Sequence, residues 1–240
     1  MRPLLLLLSA SLSLAASAAE WLRYPAISPD GGTIVFTHGA DLYSVSSKGG
    51  EATQLTQHVT REFHPVWSRD GKWLAFASDR HGNNDVFVMP STGGSATRLT
   101  FHSNHDIPWA FTADGSALIF SSTRKDAAAS LDIPNRRIGE LYQVSVKGGE
   151  PSQVFTTPAE YLNICEKGTH YLYHDRKGYE DDWRKHHQSS VTRDIWLYDS
   201  VKKSHRQLTD FPGEDRNPVW TGKEEFIYLS EMSGSFNVWK

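Results

Sequence analysis

Short segments in which apolar and polar residues alternate dominate this chain. Leu74-Ala75-Phe76-Ala77 is typical: every second side chain belongs to one face, the period of a half-buried strand. Around it the pattern predicts four strands in a fixed order, at 65–68, 73–78, 85–90 and 96–100. Asp70-Gly71 and Gly93-Gly94 separate them as tight turns, because glycine tolerates positive φ. Pro65 heads the first strand, where a missing N–H costs no ladder hydrogen bond.

The same order recurs. The third-strand segment DLYSVSSKGGEATQLT at 41–56 returns as DVFVMPSTGGSATRLT at 85–100, ELYQVSVKGGEPSQVF at 140–155 and DIWLYDSVKKSHRQLT at 194–209, and begins again as NVWK at 237–240. Before each lies a second-strand segment: SPDGGTIVFT, SRDGKWLAFAS, TADGSALIFSS, CEKGTHYLYHD and TGKEEFIYLSE. YPAIS, HPVWS, IPWAFT and NPVWT mark most of the first strands. The copies are about 43 to 55 residues apart, the period of four-stranded propeller blades. A flat meander would leave long exposed edges, which radial stacking removes. The expectation is an all-β β-propeller with blades at about 24–56, 63–100, 106–155, 160–209 and an incomplete 217–240, part of a ring of six or seven. Insertions at 122–139 and 175–193 account for the longer steps.

Residues 1–19 differ in kind. A weakly basic start, an apolar run from Leu4 to Ala16 and the small-residue Ala16-Ser17-Ala18 predict a cleaved signal peptide and export to a periplasmic or extracellular space. The run is short for a bilayer span, so no membrane span is expected after cleavage. A net charge of −3 gives no electrostatic footprint for nucleic acid. The single cysteine, Cys165, excludes an internal disulfide and reads as a small buried hydrophobe.

The turns, the DVFVMPSTGG and RLT segments, and above all two stretches carry a family resemblance. Ser78-Asp79-Arg80-His81-Gly82-Asn83-Asn84 and Lys177-Gly178-Tyr179-Glu180-Asp181-Asp182-Trp183-Arg184-Lys185-His186-His187 resemble the amino-terminal propeller of bacterial tricorn-like serine peptidases, with TolB-type propellers sharing the turn motifs. The resemblance implies a propeller that gates or guides peptides toward PDZ and peptidase domains further along the same protein, and assembly into homo-oligomers. The family's catalytic residues match no position here, so no catalytic residue is expected. A TolB-like, non-enzymatic scaffold is the alternative.

The chemistry in the sequence agrees with that restraint. The G-x-S-x-G and H-E-x-x-H motifs are absent, and no cofactor or metal site is expected. Asp30, Asp70 and Asp114 recur in the turns as acceptors of local N–H groups rather than calcium ligands. Arg80 and Arg124 follow equivalent strands and are expected to make a repeated structural contact. The candidates for peptide contact or gating are His102, His105 and Asp106 near an inner strand, and Trp183, Arg184, His186 and His187 in the second insertion. His64, Trp67, Trp109 and Trp220 also lie on or near first strands, the tryptophans as inter-blade packing.

Overall fold

The structure is a computed structural model that describes residues 21–124, 138–178, 189–222 and 224–240. Among the described residues nineteen strands form five antiparallel sheets arranged as successive blades. Blade 1 holds β1 (Arg23–Ile27), β2 (Thr33–His38), β3 (Asp41–Ser46) and β4 (Thr53–Gln54). Blade 2 holds β5 (Glu62–Trp67), β6 (Trp73–Ser78), β7 (Asp85–Pro90) and β8 (Thr97–Arg98). Blade 3 is β9 (Asp106–Phe111), β10 (Ala117–Ser122), β11 (Glu140–Ser145) and β12 (Ser152–Phe155). Blade 4 is β13 (Ala159–Ile164), β14 (His170–Asp175), β15 (Ile195–Asp199) and β16 (Ser204–Gln207), and blade 5 is β17 (Asp215–Trp220), β18 (Phe226–Ser230) and β19 (Asn237–Trp239). The described residues contain no helix.

Period-two alternation divides each middle strand between two seams. Leu74 and Phe76 of β6, with Phe87 and Met89 of β7, pack toward Val35 and Leu42 of blade 1. Ala75, Val86 and Val88 of the same strands turn the other way, onto Leu118, Phe120 and Tyr142 of blade 3. Ile119 and Leu141 of blade 3 then meet Tyr173 and Tyr198 of blade 4. A one-residue slip would exchange these faces, so the register is fixed by burial on both sides.

The repeated motifs each perform one local task. In the Ser-Pro-Asp-Gly turn, Ser28 Oγ donates to Asp30 Oδ1 and accepts from Thr33 N–H at 2.9 Å, while Gly32 N–H donates to Asp30 Oδ1 at 2.9 Å. Ser68 with Asp70, and Thr112 with Asp114, repeat the arrangement. These bonds hold the carboxyls of Asp30 and Asp70 below their ordinary values, and Asp114 at about 2. The Gly-Gly pairs at 49–50, 93–94 and 148–149 all have positive φ, which a side chain would strain. In blades 1, 2 and 4 a threonine after the outer strand ties the blade shut: Thr56, Thr100 and Thr209 accept from the N–H of Leu42, Val86 and Ile195 at 2.9, 3.0 and 2.9 Å.

Two expectations need correction. The first strand of blade 2 starts at Glu62, three residues early, and Pro65 lies inside it, at a register shift between Phe63 and Val66. The proline is tolerated because the strand bulges there, not because it heads the strand. Cys165 is not a buried hydrophobe. It is only partly buried, and it takes the serine's place in the blade 4 turn, where its Sγ accepts from His170 N–H at 3.3 Å. Burial pushes this thiol up, but hydrogen bonds from His170 and Thr169 outweigh it and leave the thiol below its ordinary value.

Candidate functional site

The first strands gather around one axis: β1 packs on β5, β5 on β9, β9 on β13 and β13 on β17. Antiparallel order then sorts the connections. The short turns between first and second strands lie on one face. The second-to-third connections start and end on the opposite face, which they share with the crossovers between blades. On the turn face, Arg69 reaches past blade 3 and donates to the carbonyl oxygens of Cys165, at 3.0 Å, and Glu166.

Each first strand bulges toward this axis. Tyr24, His64, Tyr161 and Asn217 have φ of 52°, 59°, 53° and 56°, although none is glycine. Register shifts mark the same places in β1, β5, β13 and β17. In β9 the matching residue is Pro108, whose ring locks φ near −65°. There the shift falls between Ile119 and Phe120 of the partner strand, and Trp109 is the extra residue. Left-handed non-glycine residues cost on the order of 1–3 kcal/mol each and persist where surrounding structure over-determines them. Four of the five bulges also carry a proline, which blunts an edge that would otherwise accept another strand.

The bulged side chains meet. The His64 ring lies 5.3 Å from Tyr24, 4.5 Å edge-on from Trp109 and 6.0 Å from Tyr161. Trp109 and Tyr161 are 4.7 Å apart, and Tyr161 is 5.0 Å from His174. Tyr161 remains 38% exposed in the middle of this cluster. His64 Nδ1 and Trp109 Nε1 are buried without a hydrogen-bond partner, so the cluster presents aromatic faces rather than polar groups.

One wall of the cluster is charged. Arg176 Nη1 binds Glu160 Oε1 at 2.6 Å, and His174 Nε2 faces Glu160 Oε2 at 3.7 Å. Asn217 N–H donates to His174 Nδ1 at 3.1 Å, which puts the proton of the neutral ring on Nε2, toward the carboxylate. Burial lowers His174 and His64 to about 4, so both rings are neutral near pH 7. Burial pushes the Glu160 carboxyl up, and the His174 bond and the Arg176 charge more than offset it.

The residues singled out by sequence fall elsewhere. His102 and His105 lie in the crossover from blade 2 to blade 3, on the face opposite the short turns. Their Nδ1 atoms accept from the N–H of Asn104 and Asn84, each at 3.0 Å. Asp106, at the start of β9, binds Arg124 at 2.7 Å. Arg80 holds Glu62 in the same way, so this is the repeated structural contact expected of the two arginines. Trp67 Nε1 donates to Ala26 O at 3.1 Å across a seam. Trp183, Arg184, His186 and His187 lie outside the described residues. Among the described residues, Lys177, Ser189, Thr192, Asp194, Phe211 and Pro212 line a hollow of about 360 Å³. Its cation is already committed, Lys177 Nζ donating to Thr192 O at 2.9 Å and pairing with Asp194. Sequence reasoning reached His64 and Trp109 but not Tyr24, Tyr161 or Asn217. The available signal was their common place in the repeat, Tyr24 and Asn217 directly before a proline and Tyr161 before Leu162, which holds the proline's position.

Known structures share this architecture at low identity. TolB from Agrobacterium tumefaciens is 16% identical with a TM-score of 0.70, over 88% of this chain and 70% of that one. Tricorn protease is 19% identical with a TM-score of 0.74, over 92% of this chain and 21% of that one, so the chain spans about a fifth of its length. A prolyl endopeptidase is 15% identical with a TM-score of 0.57, over 90% of this chain and 33% of that one. At residues 19–240 the sequence matches the tricorn protease N-terminal beta propeller domain, and the chain belongs to that family.

Proposed function

We propose that this chain is the peptide-handling propeller of an exported tricorn-type serine peptidase, with no catalytic residue of its own. The observation that carries the reading is the axial cluster: strained bulges from successive blades bring Tyr24, His64, Trp109 and Tyr161 together. Such a surface holds an extended chain by its side chains. Stacking on aromatic faces tolerates many sequences, as a substrate path requires. The bulges and prolines disfavour capture of a peptide as an added strand, so passage is favoured over tight retention. The charged wall of Glu160, His174 and Arg176 is neutral overall and orients the aromatic rings.

The PDZ and peptidase domains, the closed ring, self-assembly and export belong to this reading as proposals. A TolB-like scaffold is the second reading, favoured by the likeness to TolB along most of its chain. Fluorescence anisotropy with a labelled, unstructured peptide separates the two. The expected result is saturable binding without hydrolysis, weakened at least about tenfold, or 1.4 kcal/mol, by Tyr161→Ser and by Trp109→Ala. Binding that ignores both substitutions would remove the axial site and favour the scaffold.

A further inference from the structure

A second site lies beside the axial cluster, at the loop-face end of the seam between blades 1 and 2. Trp21, Arg23, Thr37, Gly39 and Arg61 line a cleft of about 270 Å³. Its chemistry is one-sided. Five other arginines are neutralised by carboxylates: Arg80 by Glu62, Arg98 by Asp85, Arg124 by Asp106, Arg176 by Glu160 and Arg193 by Glu214. Among the described residues Arg23 and Arg61, like Arg69 and Arg206, make no such pair, and of these four only Arg23 and Arg61 line a cleft together.

Aromatic faces hold both guanidinium groups instead. Arg23 sits 5.0 Å from the centre of the Trp21 ring. Arg61 sits 4.2 Å from Phe63 and 5.7 Å from Tyr24, and its Nη2 donates to Tyr24 Oη at 3.1 Å. Asp79 Oδ1 accepts the main-chain N–H of Arg61 at 2.9 Å and so fixes the base of that side chain. Stacking on a ring occupies the face of a guanidinium and leaves its in-plane N–H fork for an oxyanion.

Thr37 supplies the second, independent observation. It is only 3% exposed, it lines this cleft, and its Oγ1 is buried without a hydrogen-bond partner. An orphaned buried hydroxyl costs about 1–3 kcal/mol, a cost that an acceptor in the cleft removes.

We propose that this cleft is an oxyanion site, in which the forks of Arg23 and Arg61 and the hydroxyl of Thr37 hold one carboxylate or phosphate group. It touches the axial cluster through Tyr24, but its anion-binding groups are its own, and it stands whether or not that cluster binds peptides.

Isothermal titration calorimetry of the full chain tests it with three probes: an N-acetylated tetra-alanine with a free carboxylate, the same peptide as its amide, and inorganic phosphate. The expected result is saturable binding of the free-acid peptide or of phosphate, whichever source the site serves, with the amide silent. Arg23→Gln and Arg61→Gln each weaken it at least about tenfold, since each removes a charge-assisted contact. Thr37→Val weakens it about threefold and leaves the melting temperature unchanged or raised, because the orphan hydroxyl is gone. That opposition separates a ligand-binding hydroxyl from a structural one. No saturable heat with either anion, equal binding of the amide, or unchanged affinity in both arginine variants would overturn the proposal.

Discussion

The seam between blades 2 and 3 and the seam between blades 4 and 5 are built from equivalent strands but held by different forces. The first is apolar: Ala75, Val86, Val88, Leu118, Phe120 and Tyr142 are buried in one cluster. Its carboxylates are capped, Glu62 by Arg80 and Asp106 by Arg124. The second is polar. It is joined by the Arg193–Glu214 ion pair, by Asn217 N–H on His174, and by Trp220 N–H donating to Asn163 Oδ1 at 3.0 Å. Asp215 pairs in register with Ser230 as Asp106 does with Ser122, yet Met232 stands where the arginine belongs. Asp215 is 0% exposed, and neither oxygen reaches hydrogen-bond geometry with a partner. Its surroundings are the hydroxyls of Ser230 and Thr209 and the carboxylates of Asp194 and Glu214. Burial therefore pushes this carboxyl up, and the hydroxyls only partly counter it. One repeat thus makes either a packed hydrophobic joint or a titratable one, depending on a few side chains.

The largest test breaks the apolar seam. Phe120→Ala is expected to cost about 3–5 kcal/mol in chemical denaturation, the usual effect of emptying a large buried site. Tyr228 occupies the corresponding place in β18 but is only half-buried. Tyr228→Ala should cost less than half as much, because less area leaves water on folding. Equal losses would contradict the contrast.

The next test uses pH at the polar seam. The His174 value falls from 6.5 in the unfolded chain to about 4 in the folded one. Between those values the unfolded chain binds more protons, so stability is complete above about 6.5 and declines as pH falls toward 4. The loss approaches about 3 kcal/mol for His174 alone. His64 contributes with the same sign. Urea midpoints measured across this range should fall with acid in the wild type, and His174→Gln should remove about half of the slope.

The smallest test repairs the polar seam. Met232→Arg supplies the missing cation and should stabilise the chain by about 2 kcal/mol, the scale of a hydrogen bond to a charged group. The raised carboxyl of Asp215 makes the wild type lose stability as pH climbs through and above the ordinary value of 3.8, since the folded state holds the proton longer. The arginine should abolish that component. A destabilised variant would mean that Asp215 is not the orphan of the repeated clamp.

Much of this fold is written in the repeats. The expected strands at 73–78 and 85–90 coincide with β6 and β7, because period-two alternation buried on both faces leaves one register. The axial site is less legible. A residue before proline is ordinarily extended, so nothing in Tyr24 or His64 announces a left-handed backbone. Tyr161 lacks the proline altogether. The cluster also draws on strands tens of residues apart, which only the packing of one first strand on the next brings together. Cys165 was misread because its role depends on occupying a serine's position in a turn, not on its own polarity.

Site-directed photo-crosslinking addresses the axial claim most directly. A photoreactive residue is placed at position 161, among the bulges, and in a second protein at position 54 on the outer strand β4, and each is irradiated with a labelled unstructured peptide. The account predicts a peptide adduct at 161 that excess unlabelled peptide suppresses, and none at 54. Equal labelling at both positions, or no adduct at 161, would contradict it.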